Sequence, residues 1–231
     1  MLIFWDIDGT LMYCGADGTK ALNEAFYRLY GIEDAFMAAG IGGSTDSAIL
    51  DKIMKEFGIQ EADADKIKNN YIECLEKILR NDEDNRVLPG VREMLSLLDK
   101  KGHINSLLTS NIKTGAYTKL KSVGLDGLFF YGGFGDTSSV IKDEKWDIAG
   151  IAMKEIETLT KKEISPRDVV LIGDSVYDIK TARKSGFKII SVATGWTDYG
   201  DLLVADPDHL FEDLSDTDAV MAVIDMMGET E

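Results

Sequence analysis

Short apolar runs alternate with longer segments of helical periodicity along most of the 231-residue chain. Five runs are rich in β-branched or aromatic residues and predict strands at residues 2–5, 104–108, 128–131, 169–172 and 188–192. Strands that are apolar along nearly their whole length, with helices between them, are typical of a parallel sheet covered on both faces. Because crossovers between parallel strands are right-handed, this order predicts an α/β fold built on a Rossmann-like, doubly wound parallel sheet.

The interval from about residue 13 to residue 86 interrupts this alternation, because it holds three helical patterns and no predicted strand. We expect Thr19 to cap the first of these helices, and Thr45 or Ser44 to cap the second. The third helix is predicted at about residues 63–79, where apolar residues recur at helical spacing. The sequence therefore predicts a helical insert between the first strand and the next.

Two carboxylates, Asp6 and Asp8, follow the first predicted strand with one residue between them. Like charges at the end of a buried strand repel each other, so the pair is costly unless a cation lies between the two groups. The first Asp can attack phosphorus and form an aspartyl phosphate, which splits one difficult displacement into two. The second can protonate the leaving oxygen and later accept a proton from water. This pair therefore indicates phosphoryl-transfer chemistry.

A hydroxyl-rich segment, residues 109–111 (Thr-Ser-Asn), follows the second predicted strand. A hydroxyl at the end of a strand, next to the backbone N–H groups that open a helix, is a good ligand for phosphate oxygens. Taken without Asp6, this segment is better explained as a plain helix N-cap.

Two more carboxylates follow the predicted strand at residues 169–172, in the segment Gly-Asp-Ser-Val-Tyr-Asp. Mg²⁺ is a hard cation that prefers a few carboxylates together with phosphate oxygens. Asp6, the backbone carbonyl of Asp8, and Asp174 can supply such a set, with Asp178 in direct or water-mediated support. Since ligands of parallel sheets bind at the carboxyl ends of the strands, we expect these groups to meet at one edge.

These segments resemble the motifs of haloacid dehalogenase-like (HAD) phosphatases, and of phosphoglycolate phosphatase-like enzymes in particular. Residues 6–11 (DIDGTL) resemble the first motif, Thr109 matches the second, and residues 173–178 resemble the fourth. The resemblance implies a Mg²⁺-dependent phosphatase acting on small phosphate monoesters. In it, Asp6 would be the nucleophile and Asp8 the acid and base, while Thr109 would hold the phosphoryl oxygens.

The resemblance also implies a basic residue that neutralises charge between the nucleophile and the phosphate. Lys142 and Lys145 both precede a predicted amphipathic helix, and the uncertain length of the segment before them leaves the register open. We favour Lys145, because relatives carry the basic residue at such a helix start. The other lysine is expected to be a solvated residue of the loop.

The helical insert resembles the small cap domain of this superfamily, which implies a cap at residues 15–86 and a core formed by residues 1–14 and 87–231. Residues 42–46, which open the second helix of the insert, resemble the specificity-loop region of such caps. A helix N-terminus there can bind an anionic substrate tail, with Thr45 as a contact; a plain helix cap is the alternative. Ser110 and Asn111 are the other predicted substrate contacts.

The amino-acid composition excludes some classes of binding partner. The chain has 41 acidic and 25 basic residues, and its net charge of −16 argues against binding to nucleic acid or to an anionic membrane surface. Its two cysteines do not form a disulfide framework, and no apolar stretch approaches membrane-spanning length. We therefore expect a cytoplasmic monomer or homodimer whose partner is a small phosphorylated metabolite.

Three alternatives stay open at this point. A phosphomutase of the β-phosphoglucomutase type would use the same aspartyl phosphate, but would retain a sugar phosphate for the return transfer. A dehalogenase is disfavoured, because family members that cleave carbon–halogen bonds lack the second acid that Asp8 supplies here. A binding module without catalysis would keep its role after mutation of Asp6.

Overall fold

A six-stranded parallel sheet forms the centre of the computed structural model, which describes residues 1–38, 45–137 and 144–229. The order of the strands in this sheet is β5-β4-β1-β6-β7-β8, so the chain starts in the middle and winds outward in both directions. A separate two-stranded sheet pairs β2 with β3. The strands are β1 (Leu2–Trp5), β2 (Met12–Tyr13), β3 (Arg86–Val87), β4 (Ile104–Leu108), β5 (Gly132–Gly133), β6 (Val169–Gly173), β7 (Lys188–Val192) and β8 (His209–Phe211).

Helices fill most of the chain between these strands, and short 3₁₀ turns lie at Glu61–Asp63, Asp126–Leu128 and Pro166–Asp168. Within the described ranges, no helix combines the length and the apolar character needed to cross a membrane. The helices are α1 (Asp17–Tyr30), α2 (Ala35–Ala38), α3 (Asp46–Glu56), α4 (Ala64–Asn81), α5 (Val91–Lys100), α6 (Lys113–Ser122), α7 (Lys145–Thr160), α8 (Val176–Ser185), α9 (Tyr199–Val204) and α10 (Thr217–Glu229).

Strand β1 is buried on both faces, and its side chains alternate between two hydrophobic clusters. Ile3 and Trp5 belong to the cluster that includes side chains of α5, α6 and α10. Leu2 and Phe4 belong to the cluster on the other face, with side chains of α7, α8 and α9. A central strand that is covered on both sides must be apolar along its whole length, which explains why this run was recognisable. The predicted doubly wound parallel sheet is confirmed.

Four of the five predicted strands are confirmed, and the strand predicted at residues 128–131 is wrong. That segment leaves the 3₁₀ turn Asp126–Leu128, and Phe130 is 80% exposed rather than buried in a sheet. The strand that pairs with β4 follows it, at Gly132 and Gly133. A Cβ at Gly133 would lie 2.8 Å from the Cβ of Ala152 in α7, so this strand needs residues without side chains.

The interval between β2 and β3 is helical, and these two strands pair antiparallel to bring its ends together. The first helix begins at Asp17, so the prediction that Thr19 caps it is wrong. Thr45 does cap α3, and its side chain accepts a hydrogen bond from Ala48 N at 3.3 Å. The short helix α2 was not predicted. The division into a cap at residues 15–86 and a core stays a prediction.

We predict that alanine is far more damaging at Gly90 than at Gly102, the two glycines that flank α5. Both have a positive φ, of 74° and 78°, which is strained for any L side chain. A Cβ at Gly90 would also lie 1.9 Å from the backbone oxygen of Leu214, whereas nothing lies within 4 Å of a Cβ at Gly102. Gly102→Ala should cost about 1–2 kcal/mol of unfolding free energy. Gly90→Ala should cost about 1–3 kcal/mol more.

Urea unfolding monitored by circular dichroism measures both losses, and Gly102→Ala serves as the matched control. Equal losses in the two variants would contradict the close approach of Gly90 to Leu214.

Candidate active site

The carboxyl ends of β1 and β6 bring three carboxylates together. Asp6 follows β1, Asp174 follows β6, and Asp178 lies in the first turn of α8. One carboxylate oxygen from each of the three lies within 4.8 Å of the others. The predicted convergence of carboxylates from distant parts of the chain is therefore present, at the edge where parallel sheets bind ligands.

Lys145, the first residue of α7, supplies a positive charge to this group. Its Nζ lies 3.0 Å from Asp6 Oδ2 and donates a hydrogen bond of 2.7 Å to Asp178 Oδ1. The lysine side chain is only 5% exposed. Burial lowers the pKa of the Lys145 ammonium, but Asp178 and Asp6 outweigh burial and hold this pKa above its ordinary value. Lys142, the alternative candidate, lies outside the described residues.

Asp178 is held in place by Ser175, the N-cap of α8. The Ser175 hydroxyl accepts a hydrogen bond from Asp178 N, while Asp178 Oδ2 accepts one from Ser175 N at 3.1 Å. This reciprocal arrangement is a capping box, and it fixes the Asp178 carboxylate against Lys145. The spacing of the two Asp residues, at the end of a strand and one helical turn later, therefore has a local structural cause.

The negative charge of Asp174 is less well compensated than that of Asp6 or Asp178. The hydroxyl of Thr10 donates to Asp174 Oδ1 at 2.9 Å, and no lysine contacts Asp174 among the described residues. Burial, followed by the charges of Asp178 and Asp6, raises the pKa of Asp174 well above its ordinary value. Burial also raises the pKa of Asp6 to about 6, although Lys145 opposes this shift. Three acidic side chains thus lie together, and one ammonium contacts two of them. A cluster of carboxylate oxygens with so little compensating charge fits a site for a divalent cation with oxygen ligands.

Asp8 belongs to a second group of polar contacts, centred on Lys119 of α6. Lys119 Nζ donates to both carboxylate oxygens of Asp8, at 2.8 and 2.7 Å, and Asn111 Nδ2 donates to Asp8 Oδ2 at 2.7 Å. The thiol of Cys14 donates to Asp8 Oδ1 at 3.1 Å. Burial raises the pKa of Asp8, but Lys119 and Asn111 outweigh it, so the net pKa is lowered. Asp8 is therefore held as a carboxylate.

Sequence reasoning missed Lys119, because a lysine in the middle of a helix is usually solvated. One signal was available: Gly115, Ala116, Lys119 and Leu120 share the buried face of α6, so this lysine falls on the apolar side of the helix. Its side chain is 6% exposed, and its ammonium also donates to Asn111 Oδ1 at 2.7 Å. A buried ammonium requires such partners, since an unpaired charge is costly to bury.

The segment after β4 lies where the sequence predicted it. Thr109 is buried, and its hydroxyl oxygen accepts a hydrogen bond from Asn111 Nδ2 at 2.8 Å. Ser110 and Asn111 line a cavity beside Asp8. The backbone oxygen of Ser110 also accepts a hydrogen bond from Asp46 N at 2.9 Å, which joins this segment to the insert. The roles of these residues toward a substrate stay predictions.

The cavity has a volume of about 210 Å³ and lies between the sheet edge and the helical insert. Asp8 and Lys119 line it from one side, and Asp46, Leu50 and Tyr71 line it from the insert. Asp46 is the first residue of α3, and its Oδ2 accepts a hydrogen bond from Ile112 N at 3.1 Å. Burial raises the pKa of Asp46 to about 6.

The predicted specificity loop lies mostly outside the described residues, since residues 42–44 are not among them. Thr45, the predicted substrate contact, is buried and caps α3, while the next residue, Asp46, lines the cavity. Contact between Thr45 and a substrate stays a prediction.

We predict that Lys119→Met lowers the free energy of unfolding by about 3 kcal/mol, because it leaves the Asp8 carboxylate without its buried counter-ion. Lys121→Met is the matched control: Lys121 lies two residues later on α6 and is exposed. Its replacement should change stability by less than about 0.5 kcal/mol. Chemical denaturation of both variants measures the difference. Similar values for the two would contradict the pairing of Lys119 with Asp8.

Comparison with known proteins extends these observations to nearly the whole chain. A family model described as haloacid dehalogenase-like hydrolase matches residues 3–192. The chain is 25% identical to a phosphoglycolate phosphatase of Agrobacterium fabrum, over 93% of this chain and 89% of that protein. It is 26% identical to a 5'-nucleotidase of Pseudomonas aeruginosa, over 92% of this chain and 91% of that protein.

Two solved structures share the fold. A predicted phosphoglycolate phosphatase from Haemophilus somnus superposes with a TM-score of 0.68 at 21% identity, covering 95% of this chain and 97% of that one. CbbY from Rhodobacter sphaeroides, solved in complex with phosphate, superposes with a TM-score of 0.70 at 18% identity, covering 93% and 94%. The match to the family model covers most of the chain, and the carboxylates it includes meet at one edge of the sheet. This chain therefore belongs to the haloacid dehalogenase-like hydrolase family.

Proposed function

We propose that this protein is a Mg²⁺-dependent phosphatase that hydrolyses small phosphate monoesters through an aspartyl phosphate on Asp6. The observation that carries the proposal is the convergence of Asp6, Asp174 and Asp178, with the ammonium of Lys145 in contact with Asp6 and Asp178. Similarity over nearly the whole chain to curated phosphoglycolate phosphatases, at 24–25% identity, supports the reaction class.

The residues that would hold Mg²⁺ are Asp6, Asp174, Asp178 and the backbone carbonyl of Asp8. Their oxygen atoms are the ligands that this hard cation prefers, and their excess negative charge favours its binding. When bound, the ion would neutralise charge on the transferring phosphoryl group.

In the first step, an Asp6 carboxylate oxygen attacks phosphorus, the new O–P bond forms, and the bond from phosphorus to the ester oxygen breaks. For this step Asp8 must carry a proton, namely the one it takes from water in the preceding turnover, although its contacts with Lys119 and Asn111 favour the carboxylate. Asp8 gives this proton to the departing alcohol oxygen. Lys145 and Thr109 hold the phosphoryl oxygens during the transfer. In the second step, Asp8 takes a proton from water as that water attacks the aspartyl phosphate, which releases inorganic phosphate and restores Asp6. The carboxylate form that Lys119 stabilises is the form required for this second step.

The substrate in this proposal is a small phosphorylated metabolite, and the site of action is the cytoplasm. Closure of the insert over the carboxylates would exclude water and position the ester. A phosphomutase would share the aspartyl phosphate, but would release little free phosphate.

We predict that Asp6→Asn abolishes hydrolysis of p-nitrophenyl phosphate while the fold is retained, because an amide cannot act as the nucleophile. Loss of turnover should exceed about 1,000-fold. Asp168→Asn is the matched control, since Asp168 precedes β6 and so lies at the opposite edge of the sheet. It should keep the wild-type rate. Colour release at 405 nm measures both, and a wild-type rate for Asp6→Asn would show that the nucleophile is another residue.

We also predict that EDTA removes this activity and that added Mg²⁺ restores it, because without the ion the carboxylates repel the phosphoryl group. The same ion should raise the melting temperature of the wild-type protein, since it binds the native state alone. Asp174→Asn should lose most of this increase. Full activity in EDTA, or an equal increase in the Asp174→Asn protein, would refute the proposed metal site.

A further inference from the structure

We propose that the cavity beside Asp8 accepts the leaving group of a phosphate ester whose alcohol is neutral or cationic, such as a short polyol or an amino alcohol. An ester whose alcohol carries a carboxylate, as in phosphoglycolate, should be disfavoured. This inference rests on the proposed function and narrows its substrate class.

The position of the cavity assigns it to the leaving group. Lys145, Asp6, Asp174 and Asp178 form the phosphoryl site on one side of Asp8, and the cavity lies on its other side, toward the insert. An acid that protonates the ester oxygen must lie within hydrogen-bond reach of it. The alcohol that departs with this oxygen therefore extends into the cavity.

The cation that lines the cavity, Lys119, has no free donor for a substrate carboxylate. An ammonium has three N–H groups. Those of Lys119 reach the two oxygens of Asp8 and the side-chain oxygen of Asn111, all at 2.7–2.8 Å. Among the cavity-lining residues in the described ranges, Lys119 is the one lysine or arginine. A leaving-group carboxylate would have to displace Asp8 from it.

Asp46 supplies an acceptor where an anion would need a donor. Its Oδ2 accepts from Ile112 N at 3.1 Å, and the position of α3 is fixed by the bond from Asp46 N to the backbone oxygen of Ser110. No described donor occupies the other carboxylate oxygen, and Asp46 lines the cavity. That oxygen can accept a hydrogen bond from a substrate hydroxyl or ammonium group.

Tyr71 of α4 adds a hydroxyl to the same cavity. Burial and the charge of Asp46 raise the pKa of Tyr71, so its hydroxyl stays protonated and can donate to a substrate hydroxyl. With Asp46, it offers one acceptor and one donor, the pair that a neutral alcohol requires.

The charge balance points the same way. Among the described residues, the cavity lining contains two carboxylates, of Asp8 and Asp46, and one ammonium, of Lys119. The lining therefore carries one more negative than positive charge. Like charges brought together in a partly buried site are strongly unfavourable, whereas a hydroxyl carries no such penalty.

The size of the cavity limits the alcohol. Its volume of about 210 Å³ is below the ~300–1,000 Å³ of sites for drug-sized ligands. An alcohol of a few carbon atoms fits this space.

Three esters that differ only at the end of a two-carbon chain test the inference: 2-hydroxyethyl phosphate, phosphoethanolamine and phosphoglycolate. Initial rates of phosphate release at saturating Mg²⁺ give kcat/KM for each. We expect the first two to exceed phosphoglycolate by about tenfold or more, the effect of one unfavourable charge contact. A value for phosphoglycolate equal to or above the other two would overturn the inference.

The variant Asp46→Asn keeps the size of the side chain and removes its charge. The preference for 2-hydroxyethyl phosphate over phosphoglycolate should fall at least about fivefold. Asp51→Asn is the matched control: Asp51 lies on the same helix, is paired with Lys55, and does not line this cavity. It should keep the wild-type preference. An unchanged preference in Asp46→Asn would overturn the role of Asp46, and if this variant does not fold, the wild-type ranking decides alone.

Binding of the same esters to Asp6→Asn protein, followed by calorimetry, separates the two proposals. If the protein hydrolyses p-nitrophenyl phosphate but prefers phosphoglycolate, the cavity inference fails and the phosphatase stands. If no ester is hydrolysed but 2-hydroxyethyl phosphate binds more tightly than phosphoglycolate, the proposed function fails and the cavity inference stands. Tighter binding of phosphoglycolate would overturn the cavity inference in either case.

Discussion

Repulsion between buried carboxylates is the constraint on which this molecule depends. Four acidic residues meet here from three strand or helix ends: Asp6, Asp8, Asp174 and Asp178. Two buried lysines compensate most of their negative charge. Lys145 serves Asp6 and Asp178, and Lys119 serves Asp8. Asp174 receives only a hydroxyl from Thr10 among the described residues. The remaining negative charge is what a divalent cation would neutralise, so cation binding and the native arrangement support each other.

The parallel sheet makes part of this site readable from the sequence. A fully buried strand is an unbroken apolar run, so its end is marked by the first polar residue. Asp6 and Asp174 stand at such ends, and parallel pairing of β1 with β6 brings them to one edge. Lys145 was named through the resemblance to the family, which places the basic residue at a helix start, and it is the first residue of α7. The end of a buried strand is a local signal, which is why the two Asp residues could be named from the sequence, whereas the choice of Lys145 over Lys142 needed the resemblance.

Other features depend on contacts that no local pattern records. The edge strand β5 consists of two glycines, because β4 and α7 pack too close to it for larger side chains. Two glycines form no apolar pattern in the sequence. The aromatic run before them was therefore predicted as the strand instead. The importance of Lys119 comes from its approach to Asp8, a residue 111 positions away in the chain. Asp46 meets Ile112 in the same way, across the boundary between insert and sheet. Long-range pairing of this kind becomes visible only in three dimensions.

The loop after β4 connects the two halves of the site. Asn111 donates to Asp8 at the edge of the sheet, while Ser110 and Ile112 form hydrogen bonds with Asp46 at the start of α3. One short stretch of chain therefore contacts both Asp8 and the insert residue Asp46 that lines the cavity. A shift of α3 relative to the sheet would strain these bonds and so disturb Asp8 as well. If the proposed alcohol binds against Asp46, this shared support would link its binding to the placement of Asp8, so that recognition in the insert would influence chemistry at the sheet edge.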